Sequence, residues 1–466
     1  MRLPSRRLTA LLLMLSLSVA SAAAAAPTVE DPALRTQTTR LDNGMTVLTL
    51  EDHTTPVVSL QVWVHVGSRD ESRYSGLAHL FEHMMFKGSK HVGPEEHMRL
   101  LEARGGLVNA YTSQDVTVYH EDVPREALPL AIDLEEERIA NLDISEKTLT
   151  SERQVVLEER RLRTEDDPEG RALEMLLATT FVAHPYRRPV IGWRSDVEKV
   201  GVEECRRFFD TYYAPNNLVM VVVGDFDTAE TLAHVQRVFG RLRPAESIPR
   251  NPTEEPPQHG ERRATVEFDV RSPSVWVAWH APATGHPDGP ALDVAGQILS
   301  GGRASRLYRR LVYQEQQALS ADGGYWELQD AGLFYASASV RPGASIDRVE
   351  SLLFSEIARL RDAPAGDEEL ERAKRQLLVS LVDGLATNHA LAARIGGDYV
   401  LLGRIRPLDE RLAQIQAVTA DDVQRVARSY LPDTGRSVVR VVPPAGAAAR
   451  SPAEPARRPA RKRGGR

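Results

Sequence analysis

The chain has 466 residues, 42% hydrophobic and 26% charged, with a formal net charge of −7, a composition ordinary for a globular protein and long enough for two or more cores. Its single cysteine, Cys205, rules out an intramolecular disulfide, so the cores themselves must supply stability. Setting aside three arginines near the N-terminus and the net +6 of residues 450–466 leaves −16 for the body between them, which argues against a nucleic-acid-binding surface there and favours basic peptides.

Taken in order, residues 1–26 have the form of a secretory signal: Arg2, Arg6 and Arg7, an apolar run over 8–19, then small residues over 21–26. The run is short for a membrane span, so no stable span is expected; the Arg6-Arg7 pair also raises twin-arginine export. An exported chain without disulfides makes the periplasm the expected destination, with secretion the alternative. Asn43-Gly44 predicts the turn of a hairpin over 38–50, and the pattern over 57–64 predicts a half-buried strand. A polar loop then leads into Gly76-Leu77-Ala78-His79-Leu80-Phe81-Glu82-His83-Met84-Met85-Phe86. Further along, the sequence predicts a helix over 94–104, strands over 105–113 and 116–120, and helices over 128–142 and 147–163. Cys205 lies in a helical stretch and reads as a small buried residue.

In the stretch around His79, Leu77, Leu80, Phe81 and Met84 recur at helical spacing, giving an amphipathic helix. His79 and His83 then stand one above the other, able to reach one metal ion, with Glu82 beside them to polarise a water without ligating the metal. This is an H-x-x-E-H arrangement. Two histidines are not enough, because a catalytic zinc takes a third protein ligand and keeps an open position. Residues 151–160, Ser-Glu-Arg-Gln-Val-Val-Leu-Glu-Glu-Arg, offer Glu152, Glu158 and Glu159 around a core stripe of Val155, Val156 and Leu157. Glu152 and Glu159 share a helix face, so one could ligate and the other support it; spacing alone does not choose.

The second half reads as a diverged copy of the first. Tyr213-Ala214-Pro215 and Tyr430-Leu431-Pro432 each precede an apolar strand, at an offset of 217 residues. A Pro-rich segment over 244–263 reads as the linker. In the copy, Leu299 to Tyr308 takes the place of the histidine helix and carries no H-x-x-E-H. The Pro-, Ala- and Arg-rich residues from 444 to 466 read as a disordered basic tail.

With these motifs the chain resembles the pitrilysin or insulinase family of zinc metallopeptidases, and particularly its short branch, which includes the mitochondrial processing peptidase beta subunit. The resemblance extends to Asn109-Ala110-Tyr111-Thr112-Ser113-Gln114-Asp115 and to residues 184–192, His-Pro-Tyr-Arg-Arg-Pro-Val-Ile-Gly. It implies an α+β fold of two homologous domains, each a mainly antiparallel sheet with helices on one face, together forming half of a clamshell chamber. The expected domains are 27–243, bearing the metal, and 264–443, without it. In the family a glutamate ligand follows the second histidine by about 76 residues in the context E-R-x-V-V-x-x-E, which matches Glu152 through Glu159. The resemblance therefore implies one Zn2+ per chain held by His79, His83 and Glu159. It makes Glu82 the general base and Glu152 the supporting carboxylate of the catalytic apparatus. Asn109 and Ala110 fall on an edge strand to which an extended substrate peptide adds its backbone. Self-sufficient family members also carry an arginine and a tyrosine seven residues apart in a later domain. Here Val312 and Leu319 stand in their places, which implies a metal-bearing subunit working with a homologous non-metal partner, a homodimer being the alternative. The implied activity is endopeptidase cleavage of extended peptides or small unfolded proteins. A non-catalytic assembly subunit and a zinc hydrolase of non-peptide substrates are the competing readings.

Overall fold

The computed structural model describes residues 31–445; the expected signal (1–26) and the tail from 446 lie outside the described residues. The first half contains strands β1 (Gln37–Arg40), β2 (Thr46–Glu51) and β3 (Val57–Val64), helices α1 (Leu77–Met84) and α2 (Glu96–Glu102), and strands β4 (Leu107–Thr112) and β5 (Thr117–Pro124). Helices α3 (Leu128–Asn141), α4 (Glu146–Arg160), α5 (Pro168–Thr180), α6 (Arg194–Lys199) and α7 (Val202–Tyr212) follow, before β6 (Leu218–Gly224) and α8 (Thr228–Phe239). The second half runs β7 (Arg262–Glu267), β8 (Ser274–Ala281), α9 (Gly289–Ser300), β9 (Ala318–Trp326) and β10 (Gly332–Val340). It ends with α10 (Ile346–Asp362), α11 (Asp367–Asp383), α12 (Asn388–Leu402), α13 (Leu408–Ala417), α14 (Ala420–Tyr430) and β11 (Ser437–Val442).

The two sheets share a plan. Their strand orders are β1-β2-β6-β3-β5-β4 and β7-β11-β8-β10-β9. In each, the last strand in sequence returns to the sheet interior beside and parallel to an early one (β6 with β2, β11 with β7), and the remaining pairs are antiparallel. Every residue of β6, Leu-Val-Met-Val-Val-Val-Gly, is buried, as suits a strand covered on both faces. The strands β4 and β9 are left as edges. The Asn43-Gly44 turn is present, with Gly44 at φ +88°, where glycine carries no Cβ penalty.

Each sheet packs its own helices on one face, as the family resemblance implies, and takes one helix of the other half on its reverse face. On the first sheet α12 sets Leu391, Ala392 and Ile395 against Leu48, Trp63 and Val221. A Cβ on Gly396 would lie 2.3 Å from Trp63 Nε1, so a glycine is required for that approach. Reciprocally, Ala172, Leu176 and Phe181 of the α5 region cover Val266, Ala278 and Val439 of the second sheet. Ile395 is fully buried, and Ile395→Ala is expected to destabilise the chain by about 2–5 kcal/mol, read as a lowered urea midpoint.

Two local expectations are corrected. Val156 and Leu157 are buried but Val155 is 45% exposed, so the core stripe on α4 is narrower than the run of three. In the second half, the helix in the slot of α1 is α9; Leu299 to Tyr308 is its last two residues, the turn beyond and the start of the helical segment that runs on to Gln314. Cys205 is buried and burial pushes its thiol up to about 12, consistent with an inert packing residue. No helix of the described residues is long and apolar enough to cross a membrane.

Candidate metal centre

Helix α1 is placed by its N-terminus. Gly76 has φ +91°, and a Cβ there would lie 2.8 Å from the Ile191 carbonyl oxygen and 2.9 Å from the Gly192 Cα. Gly192, at φ +81°, meets Gly76 equally closely, so two backbones cross where only hydrogen fits. The buried Glu71 carboxylate accepts the N–H of Gly76 at 2.8 Å and of Ala78 at 2.9 Å, capping the helix where its dipole favours an anion. Burial, the largest influence, pushes Glu71 up to about 8 while these N–H groups pull it back. Gly76→Ala is expected to impose strain of about 1–3 kcal/mol and to lower both the thermal midpoint and the zinc affinity.

The apolar face of α1 anchors it in the core. Phe81 stacks on Phe208 and Phe209 at centroid distances of 5.5 and 5.6 Å, and the Tyr119 hydroxyl donates to its carbonyl. The other face carries the histidines, and α4 packs beside it. The ligand-type atoms of His79, His83 and Glu159 all lie within 4.8 Å of one another. Glu159 Oε2 is 3.6 Å from His79 Nε2 and 3.2 Å from His83 Nε2. Tetrahedral zinc with ligands at about 2.1 Å has ligand–ligand edges of about 3.4 Å, which those separations straddle. Two imidazoles and one carboxylate are a zinc donor set, and the residues present fit the ion.

The electrostatics agree with a cation between these groups. Burial, then the charge of His83, holds His79 down at about 4, so its ring is neutral with a lone pair to give. Burial acts against a charge on His83, but Glu152 and Glu159 override it and raise His83 to about 9. Contact with His83 in turn lowers Glu159. Burial raises Glu82 above the usual carboxylate range.

Glu82 is not part of that donor set; its Oε2 accepts a hydrogen bond of 2.6 Å from Thr112 Oγ1, at the end of the edge strand β4. Glu152 is 1% exposed and sits on the far side of His83, 3.8 Å from Nδ1 and 3.4 Å from Lys87 Nζ. It supplies no atom to the His79–His83–Glu159 set. Asn109 and Ala110 lie on β4, with Asn109 exposed and its Oδ1 accepting the Ala110 N–H. Glu158 pairs with Arg161 at the surface. Two participants carried no sequence signal of their own, Glu71 and Arg163, whose guanidinium lies 3.1 Å from Glu159 Oε1; Thr112 fell in the family-matching stretch 109–115 without an assigned role. A second convergence of ligand types, His97, Glu121 and Glu135, is fully buried. There Arg138 pairs with Glu135 and approaches Glu121, supplying the positive charge, so that cluster is a structural network.

Two sheet-and-helix halves, with the His-His-Glu set in the first, give this chain the build of a duplicated α+β metallopeptidase. Comparison with known proteins makes the class specific. Residues 46–193 match the family model described as insulinase (peptidase family M16), and residues 199–377 match the model of the peptidase M16 inactive domain. The zinc protease PqqE of Helicobacter pylori is 30% identical over 408 residues, 86% of this chain and 92% of that protein. A probable mitochondrial-processing peptidase subunit beta of Arabidopsis thaliana is 28% identical over 425 residues, 88% of this chain and 79% of that one. The crystal structure of a protease from Helicobacter pylori superposes with a TM-score of 0.84 at 29% identity, covering 88% of this chain and all of that one. The chain belongs to peptidase family M16, the insulinase family.

Proposed function

We propose that this chain is a zinc-dependent endopeptidase that cuts extended peptides or small unfolded proteins, and that it is the metal-bearing subunit of a pair. The observation that carries the reading is the convergence of His79 Nε2, His83 Nε2 and Glu159 Oε2 beside a carboxylate, Glu82, held from the edge strand. Zinc held by those three residues would supply a Lewis acid able to polarise a peptide carbonyl and make a water easier to deprotonate. Glu82 takes the proton from that water and returns it to the departing amine. Thr112 fixes Glu82 Oε2 and leaves Oε1 free for the transfer. Glu152 steadies the His83 ring from its Nδ1 side. Along β4, whose outer edge is not paired with another strand, a substrate can add its backbone at Asn109 and Ala110 in extended form, taking the Ala110 N–H from Asn109 Oδ1, which favours unfolded chains over folded ones and tolerates many sequences.

Val312, in the helical segment Tyr308–Gln314, and Leu319, near the start of β9, are aliphatic and offer no donor to a tetrahedral intermediate. A homologous non-metal subunit is the proposed source of that stabilisation. The N-terminal arginines and apolar run support export, and we assign the protein to the periplasm. The test is cleavage of an unstructured peptide and of a native globular protein by the zinc-loaded chain, with and without a co-purifying homologous subunit. Internal cuts in the peptide alone, increased by the partner and abolished by chelation, are expected. Turnover of non-peptide esters with no peptide cleavage in either setting would overturn the reading.

A further inference from the structure

The second half keeps the slot of the first half's metal centre and fills it with different chemistry. In the first half the site is framed by α1, by Thr112 at the end of edge strand β4, and by α4. In the second, α9, Glu327 just past edge strand β9, and α11 stand in the same order. Between them, and closed by α13, lies a cavity of about 840 Å3 whose lining includes Asp293 of α9, Glu327, Leu381 of α11 and Arg411 of α13. That volume suits a small organic ligand.

Its charges are unusual. Among the described residues, the side chains of Asp293, Glu327 and Arg411 make no hydrogen bond or close ion pair, although all three line the cavity and Arg411 feels the charge of the two carboxylates. The neighbouring arginines are taken: Arg406 pairs with Asp398, Arg425 with Asp288 and Arg404 with Glu410. Burial, then the nearby Glu327, raises Asp293 to about 7, and burial with the charge of Arg406 pulls Arg411 down. Partly buried charges without partners cost free energy that a complementary ligand recovers. A divalent cation would meet Arg411 and Arg406, and a phosphate would meet two carboxylates. A ligand bearing both an ammonium and a carboxylate satisfies all three groups.

We propose that this cavity binds the free termini of a short peptide, its ammonium at Asp293 and Glu327 and its carboxylate at Arg411. The site stands whether or not the first half hydrolyses peptides. Alanine shares the end-group chemistry, so it and Ala-Ala are separate arms of the test. Calorimetric titration of Ala-Ala into the zinc-loaded Glu82→Gln chain, which removes turnover, is expected to show saturable binding. N-acetyl-Ala-Ala, Ala-Ala-amide, and Ala-Ala with the added Asp293→Asn or Arg411→Gln change should each bind at least about tenfold more weakly. Asp293→Asn is isosteric and removes an unpaired charge, so its circular dichroism and zinc content should be unchanged. Equal binding of alanine would identify a free amino acid as the occupant and keep the assignment of the three residues. No saturable binding of either compound, or binding indifferent to both substitutions and hence located at the metal centre, would overturn the proposal.

Discussion

Glu82→Gln is expected to retain zinc as the unchanged chain does and to lose peptide hydrolysis by about 10²–10⁴-fold. The two properties separate because of where the side chain lies. Glu82 contributes no atom to the His79–His83–Glu159 set, and its one hydrogen bond is accepted from Thr112. An amide at position 82 keeps an acceptor for that hydroxyl, so the packing survives, but it cannot take a proton from water. Zinc analysis and peptide turnover measured on one sample check this. Loss of zinc with the activity would mean that Glu82 is a ligand, and retained turnover would mean that another group is the base.

His79→Ala is expected to remove zinc and activity together. His79 provides one of three donors, and two remaining ligands leave the ion poorly held; zinc affinity should fall by well over about 100-fold, beyond what loss of a supporting residue causes. Glu152→Gln is the informative contrast. Glu152 meets the Nδ1 side of His83 and the Lys87 ammonium and supplies no atom to the donor set, so its loss should weaken zinc by about 10–100-fold without abolishing turnover at saturating metal. Titration of each variant with zinc against a competing chelator distinguishes the two effects.

Much of the site was legible in the sequence because it rests on helical periodicity. His79, Glu82 and His83 are close in the chain, and Leu80, Phe81 and Met84 fix which way their helix faces. Glu159 was not legible in that sense. It is remote in sequence, its helix carries other glutamates, and only the family resemblance singled it out. Thr112 and Arg163 reach the site through tertiary packing, which leaves no periodic trace. The exchange of α5 and α12 between the sheets was hidden for the same reason: an amphipathic pattern shows that a face is buried and not which sheet buries it. The second-half helix was misplaced because α9 is apolar nearly all round, with Ala291, Leu292, Val294, Ala295, Ile298 and Leu299 buried, and has no polar motif to set its register. Asp293 is its one acidic residue, and it opens into the cavity.

The measurement that tests the central claim most directly is anomalous diffraction at the zinc absorption edge from crystals of the zinc-loaded chain. The account predicts one strong peak at about 2.0–2.2 Å from His79 Nε2, His83 Nε2 and Glu159 Oε2, with Glu82 outside the coordination sphere. No peak at that position, or a peak at His97, Glu121 and Glu135 instead, would contradict it.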